Sequence, residues 1–239
     1  MRGKLKPRHR FVITPTVSKY RVFTWLTPPV LPDHQLAAFA FDQDWQLGLL
    51  HSRVHETWAR ALGTQVRERE SGFRYTPTTC YETFPFPELS DTSRAAIGDA
   101  AKALDDLRTR WLNPPEWVVE DVLEFPASVN GPWGHMVTTP NFDGVGTARY
   151  VRLLARDEEI EKKLKKRTLT NLYNERPAWL ADAHRRLDEA VFAAYGWSPD
   201  IADEDLLARL LELNLARAGT GGGLLADAVD DADSDDDDQ

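Results

Sequence analysis

The chain of 239 residues has one cysteine, Cys80, and only two methionines. A single thiol excludes an internal disulfide framework and any zinc cluster built on several cysteines, and it suits a reducing cytoplasm. No apolar run reaches the roughly 18 residues of a membrane-spanning helix, which argues against a membrane protein. The basic opening MRGKLKPRHR leads into FVI, not into the apolar stretch of a secretory leader. Histidines are scarce and scattered. His51 and His55 stand four apart in HSRVH, but the glutamate of the helical zinc-protease motif is missing and no third ligand is evident. These shortages imply a cytoplasmic chain with neither a membrane anchor nor a metal centre.

Apolar residues make up 42 % of the chain, with eight Trp and ten Phe, enough to build a globular core. The eight tryptophans lie near apolar stripes or turns, so core packing is the expectation for each. The formal charge of −9 is unevenly spread. Residues 224–239 hold eight Asp and no base, whereas residues 1–75 hold twelve Lys/Arg against six Asp/Glu. A basic N-terminal third beside an acidic body suggests a face that meets a polyanion; an ordinary uneven surface is the alternative.

Residues 10–50 read mainly as strands, FVITPTVS and YRVFTWL being β-branched and aromatic. QLAAFAF and WQLGLL follow, with Asp42-Gln43-Asp44 as a hairpin turn between them. Ser52 is placed to cap a helix, SRVHETWARAL, that stops at Gly63. Residues 64–88 read as irregular. Asp91 or Ser93 caps a helix with Ala96, Ile97, Ala100, Leu104, Leu107 and Trp111 on one stripe. Residues 125–150 are too rich in Gly and Pro for a long element. Helices are expected over about 157–174, 177–195 and 202–217, with Pro177 in a first turn and Gly196 as a stop.

WLNPPEW at 111–117 contains Asn-Pro-Pro, the core of the motif with which amino-methyltransferases hold a flipped base. In that motif an aromatic follows the prolines directly and stacks on the base. Here Glu116 takes the place and Trp117 comes one residue late. The stretch also closes an amphipathic helix instead of following a buried strand, so Asn113 reads as a helix C-cap with prolines that forbid continuation. FDGVG at 142–146 has the letters of a cofactor-binding turn but follows polar TTPN. EIEKK at 159–163 sits on a charged helix and lacks the strand a nuclease motif needs.

Taken in order, RFVITPTVSKYRVFTWL, LLHSRVHETWARALG, FRYTPTTCYETFPFP, WLNPPEW, KKRTLTNLYNERPAWL and LDEAVFAAYGW resemble the carboxyl-terminal part of MmeI-like bacterial DNA methyltransferases. The resemblance runs from about Arg10 to Ala218. It implies a target-recognition domain followed by a helical segment, from restriction–modification or phage-defence proteins that methylate adenine N6. The nuclease, spacer and methyltransferase domains of that family are missing from the pattern. The S-adenosylmethionine site is therefore expected on a methyltransferase domain or subunit encoded elsewhere, with no cofactor and no catalytic residue in this chain. A complete enzyme with a divergent NPPE motif, or a protein-interaction remnant of a truncated gene, are the alternatives.

The fold class expected is α+β: a mixed β/α DNA target-recognition domain over 1–88, a helical C-terminal segment over 89–218, and a disordered Gly/Asp-rich tail over 219–239. Double-stranded DNA is the expected ligand. SKYR at 18–21, read as strand, puts Lys19 and Arg21 on one face, suited to phosphates, unless they merely guard an edge. Arg10 and Arg53 are further phosphate candidates, the latter in a helix first turn where free N–H groups favour an anion. VRERESGFRY at 66–75 is the candidate for base readout, through Arg67, Arg69, Glu70 and Arg74. Arginine forks onto guanine O6 and N7 and glutamate accepts from cytosine N4. Internal salt bridges on a surface loop are the competing reading.

Overall fold

The computed structural model describes residues 9–28, 30–65 and 72–220. Arg67, Arg69, Glu70 and the acidic tail from 221 onward lie outside the described residues. The architecture is mixed α and β, with small antiparallel sheets beside a helical core.

The first sheet orders β3 (Thr24–Leu26), β1 (Phe11–Pro15) and β4 (Leu36–Phe39), with Val12 opposite both Trp25 and Phe39. Its inner face buries Val12, Ala37 and Phe39 with Phe23 and Phe41. WQLGLL is not a strand. It belongs to helix α1 (Asp44–His51), and Asp42-Gln43 form its entry, Gln46 Oε1 accepting from the Asp42 and Gln43 amides at 3.2 and 3.0 Å. Leu47, Leu49 and Leu50 are buried on all sides, and a helix apolar all round hides its periodicity. Gly48 lets α1 approach its neighbour: a Cβ there would lie 2.7 Å from Ile97 and 3.0 Å from Ala101.

Helix α2 (Arg53–Leu62) starts and stops as its residues dictate. Ser52 Oγ accepts from the His55 amide, and Gly63 closes the end. The second sheet follows, with β2 (Val17–Ser18) and β5 (Thr64–Gln65) flanking β6 (Phe73–Arg74). After the short α3 (Pro77–Cys80), Tyr81 and Phe84 are buried.

Helix α4 (Asp91–Leu112) is capped by Ser90, whose Oγ accepts from the Ser93 amide at 3.0 Å, and ends on Asn113 as its C-cap. WLNPPEW is thus a helix exit. The buried stripe is Ile97, Ala101, Leu104 and Arg108; Leu107 is exposed.

The next segment departs most from the helical expectation. Residues 118–155 form a long antiparallel hairpin, β7 (Val118–Ser128) with β9 (Val145–Ala155), joined at its tip by β8 (Val137–Thr138). The Gly and Pro residues fit it. Pro126 sits in an edge strand, where a missing N–H costs nothing, and Gly146 packs against the Thr138 carbonyl. Trp133 folds back over Phe125 and Tyr150, centroids 5.1 and 5.3 Å away.

The helical stretch expected over 157–174 is two short helices, α5 (Glu158–Leu164) and α6 (Leu169–Glu175), split where Thr168 caps the second. Helices α7 (Ala178–Tyr195) and α8 (Asp203–Thr220) complete the bundle, with Pro177 as the N-cap of α7 and Gly196, at φ 69, as its stop. Leu180, Leu187, Val191 and Phe192 of α7 pack against α4, and Leu206 and Leu210 of α8 join the same core beside α2. No helix among the described residues is long and apolar enough to cross a membrane.

Candidate nucleic-acid interface

The second sheet carries most of what an interface needs. Val17 and Thr64 both stand opposite Arg74 on β6, while Ser18 and Gln65 stand opposite Phe73. Residues directly opposite in antiparallel strands project to the same face. Phe73 therefore points into the core, and Val17, Arg74 and Thr64 form an outward row. The Arg74 guanidinium is exposed and makes no hydrogen bond or ion pair among the described residues. Gly72, at φ +87, packs its backbone against β2. A Cβ there would lie 2.2 Å from the Ser18 carbonyl oxygen, so no other residue fits.

Arg21 holds this sheet from beneath. It is 5 % exposed, and its guanidinium donates to Thr14 Oγ1 at 3.1 Å, to the Phe73 carbonyl at 3.0 Å and to the Pro15 carbonyl. It also lies over the rings of Phe73 and Tyr75, 4.6 and 5.0 Å from their centroids. Burial pulls its pKa down to about 10, still charged at neutral pH. The assignment of Arg21 to phosphate is thereby corrected. The strand β2 ends at Ser18 and the chain bends at Lys19 and Tyr20, so the alternation that would pair Lys19 with Arg21 is lost. Lys19 alone stays at the surface, its Nζ 3.0 Å from Asn174 Oδ1, an oxygen that the Tyr20 hydroxyl also reaches at 2.9 Å.

Arg10 and Arg53 are engaged within the fold. Arg10 pairs with Asp44 at 3.0 Å, donates to the Asp42 carbonyl and covers the Trp25 ring at 3.9 Å. Arg53 directs its donors to Asp203 Oδ1 and to the Pro199 and Ile201 carbonyls, tying α2 to the start of α8. The anion expected at the N-terminus of α2 is internal: Asp188 Oδ1 accepts the Arg53 amide at 2.7 Å. Burial lifts that carboxyl to about 6, against the opposing pull of the amide hydrogen bond and the Arg53 charge.

Sequence reasoning missed a buried polar network joining sheet and bundle. The Phe23 amide faces His51 Nδ1 at 3.3 Å, and the Tyr173 hydroxyl faces His51 Nε2 at 2.9 Å. Tyr173 in turn reaches His184 Nε2 at 2.9 Å. Arg108 sits 3.0 Å from His51 Nε2 and 2.9 Å from Asp105. Burial, then the Arg108 charge, depresses both histidines, His184 to about 4. His55 also falls to about 4 through burial, although its Nδ1–H is held by the Leu50 carbonyl. The one visible signal was HSRVH, whose two histidines fall on either side of the junction between α1 and α2.

The described residues do not fit an S-adenosylmethionine site. Every strand pair among them is antiparallel, so there is no parallel α/β crevice with a glycine turn. FDGVG lies at the hairpin tip, with the Phe142 side chain fully in solvent.

Residues 3–88 match the family described as MmeI, target recognition domain. The N-terminal part of this chain is an MmeI-type target recognition domain. Beyond it, the MmeI likeness is one of fold: a solved structure of the Type IIL restriction-modification enzyme MmeI in complex with DNA aligns over 88 % of this chain, with a TM-score of 0.60 and 20 % identity. DNA methyltransferase A of Bacillus subtilis (strain 168) is 40 % identical over 62 residues. The chain covers 21 % of the MmeI chain and 7 % of the Bacillus protein, a small part of either.

Proposed function

We propose that this chain selects the DNA site for an adenine-N6 methyltransferase whose catalytic centre and S-adenosylmethionine pocket lie on a methyltransferase domain or subunit outside these residues, in the cytoplasm. The observation that carries the reading is Arg74. Arg10, Arg21 and Arg53 are held by acceptors inside the fold, whereas Arg74 faces solvent on a braced sheet directly after the Arg67–Glu70 loop. An unpaired guanidinium on a rigid element is ready for bidentate contact with guanine. In this reading Lys19 supplies a phosphate contact beside it, and Arg67, Arg69 and Glu70, outside the described residues, stay candidates for base contact.

The hairpin supports a protein partner. Val119, Leu123 and Leu154 are exposed on one face, and Val122, Val151 and Leu153 on the other. Residues 118–155 hold four acidic and two basic side chains, which disfavours DNA as the occupant. A two-stranded ribbon is marginal alone in water, so the surface suits docking against the methyltransferase domain or subunit.

Two substitutions test the DNA reading in duplex-binding titrations. Arg74→Ala is expected to reduce discrimination between the preferred duplex and a single-base variant by about 1–3 kcal/mol, with nonspecific binding changed little. Lys19→Ala is expected to weaken all duplexes alike and to lower the log–log salt slope by about one. The reverse pattern would refute both assignments.

A further inference from the structure

We infer that Val17 and Thr64 read bases on either side of Arg74, with Val17 meeting the 5-methyl group of a thymine next to the guanine that Arg74 contacts. The inference rests on the DNA reading above and goes further, naming two residues and the chemistry they select.

The register fixes the row. Val17 and Thr64 are both cross-strand partners of Arg74, from opposite sides of β6. Directly opposed side chains stand about 5 Å apart at Cβ. Successive bases on one strand of DNA are about 3.4 Å apart, so a row of three spans roughly three base pairs. All three side chains are exposed, Val17 at 39 %. The row thus offers a branched aliphatic, a forked cation and a hydroxyl, in that order.

These three groups match distinct features of the major groove. The guanidinium forks onto guanine O6 and N7, an aliphatic side chain packs on the thymine methyl, and a hydroxyl donates to or accepts from either neighbour. No acidic side chain stands in the row, so phosphates on approach are not repelled. Val17 keeps part of its apolar surface in water, and a methyl group docked on it removes apolar area of both.

The row is held still, as readout demands. Gly72 packs its backbone on Ser18, one residue from Val17. The Tyr75 amide donates to the Thr16 carbonyl at 2.7 Å, and Arg21 grips the Phe73 carbonyl immediately before Arg74. Arg21 is thus a positioning residue for the row.

The test starts from duplexes selected by the purified full chain out of a random-sequence pool. Each thymine of the selected duplex is then replaced by deoxyuridine, which removes only the methyl group. Wild-type protein is expected to lose about fourfold in affinity at one thymine adjacent to a guanine, the worth of one buried methyl. Val17→Ser is expected to bind the thymine and deoxyuridine duplexes equally while keeping its guanine preference. Val17→Asn, which carries no methyl group, serves if the serine variant folds poorly. Thr64→Val is expected to relax the preference on the other side of the guanine. A sequence-selective wild type that ignores every deoxyuridine, or a Val17 variant that keeps the full thymine preference, would overturn the inference and leave the DNA reading intact. A wild type that enriches no sequence would overturn both.

Discussion

Arg108→Ala is expected to lower the unfolding free energy by about 3–5 kcal/mol, read from denaturant midpoints, because it breaks a buried charged network from one side. Arg108 is 2 % exposed and bridges His51 of α1 to Asp105 on its own helix. Removing it leaves a void among Leu104 and its neighbours and strips a partner from a half-buried carboxylate. Arg108→Met keeps most of the volume and is expected to lose less. A loss below about 1 kcal/mol for the alanine variant, the range of ordinary surface changes, would mean the network contributes little to stability.

Acidification from about pH 7 to pH 5 is expected to cost the fold on the order of 4 kcal/mol, checked by chemical unfolding at each pH. His51, His55 and His184 have folded pKa values below the ordinary value of 6.5, His55 and His184 at about 4. Between those limits the unfolded chain binds protons that the folded chain refuses, so stability is full above 6.5 and falls as pH drops towards 4. Asp188 acts in the other direction. Its folded pKa of about 6 lies above the ordinary 3.8, so the folded state takes up a proton first and regains part of the loss below pH 6. Three histidines outweigh one aspartate. Arg108 helps hold His51 and His184 neutral, so Arg108→Ala is expected to flatten the pH dependence as well as lower the plateau. A fold equally stable at both pH values would contradict the assignment of neutral buried rings.

Much of this was legible where a residue's chemistry acts locally. Ser52 and Gly63 bound α2, Asn113 closes α4 and Gly196 ends α7, because caps depend on a few neighbouring atoms. What escaped depended on distant partners. Arg108 looks like a surface residue until His51 lies beside it, 57 positions away. Arg21 looks like a phosphate ligand until Phe73, 52 positions on, supplies its acceptor. The hairpin of 118–155 was hidden because glycine and proline mark breaks in a helix but are tolerated at a ribbon's edge and tip.

The proposed interface draws on the sequence only in part. A basic N-terminal third pointed to DNA, and Arg74 was placed in the reading stretch. Counting cations could not separate those engaged by Asp42, Asp44, Asp203 and backbone carbonyls from Arg74, which faces solvent. That distinction needs the packed structure.

Titrating the purified chain with its selected duplex and with a scrambled duplex, across about 50 to 200 mM salt, tests the central claim most directly. Both affinities are expected to fall steeply with salt while the preference for the selected sequence survives. Equal affinity for the two duplexes at every salt concentration would contradict target recognition by this chain.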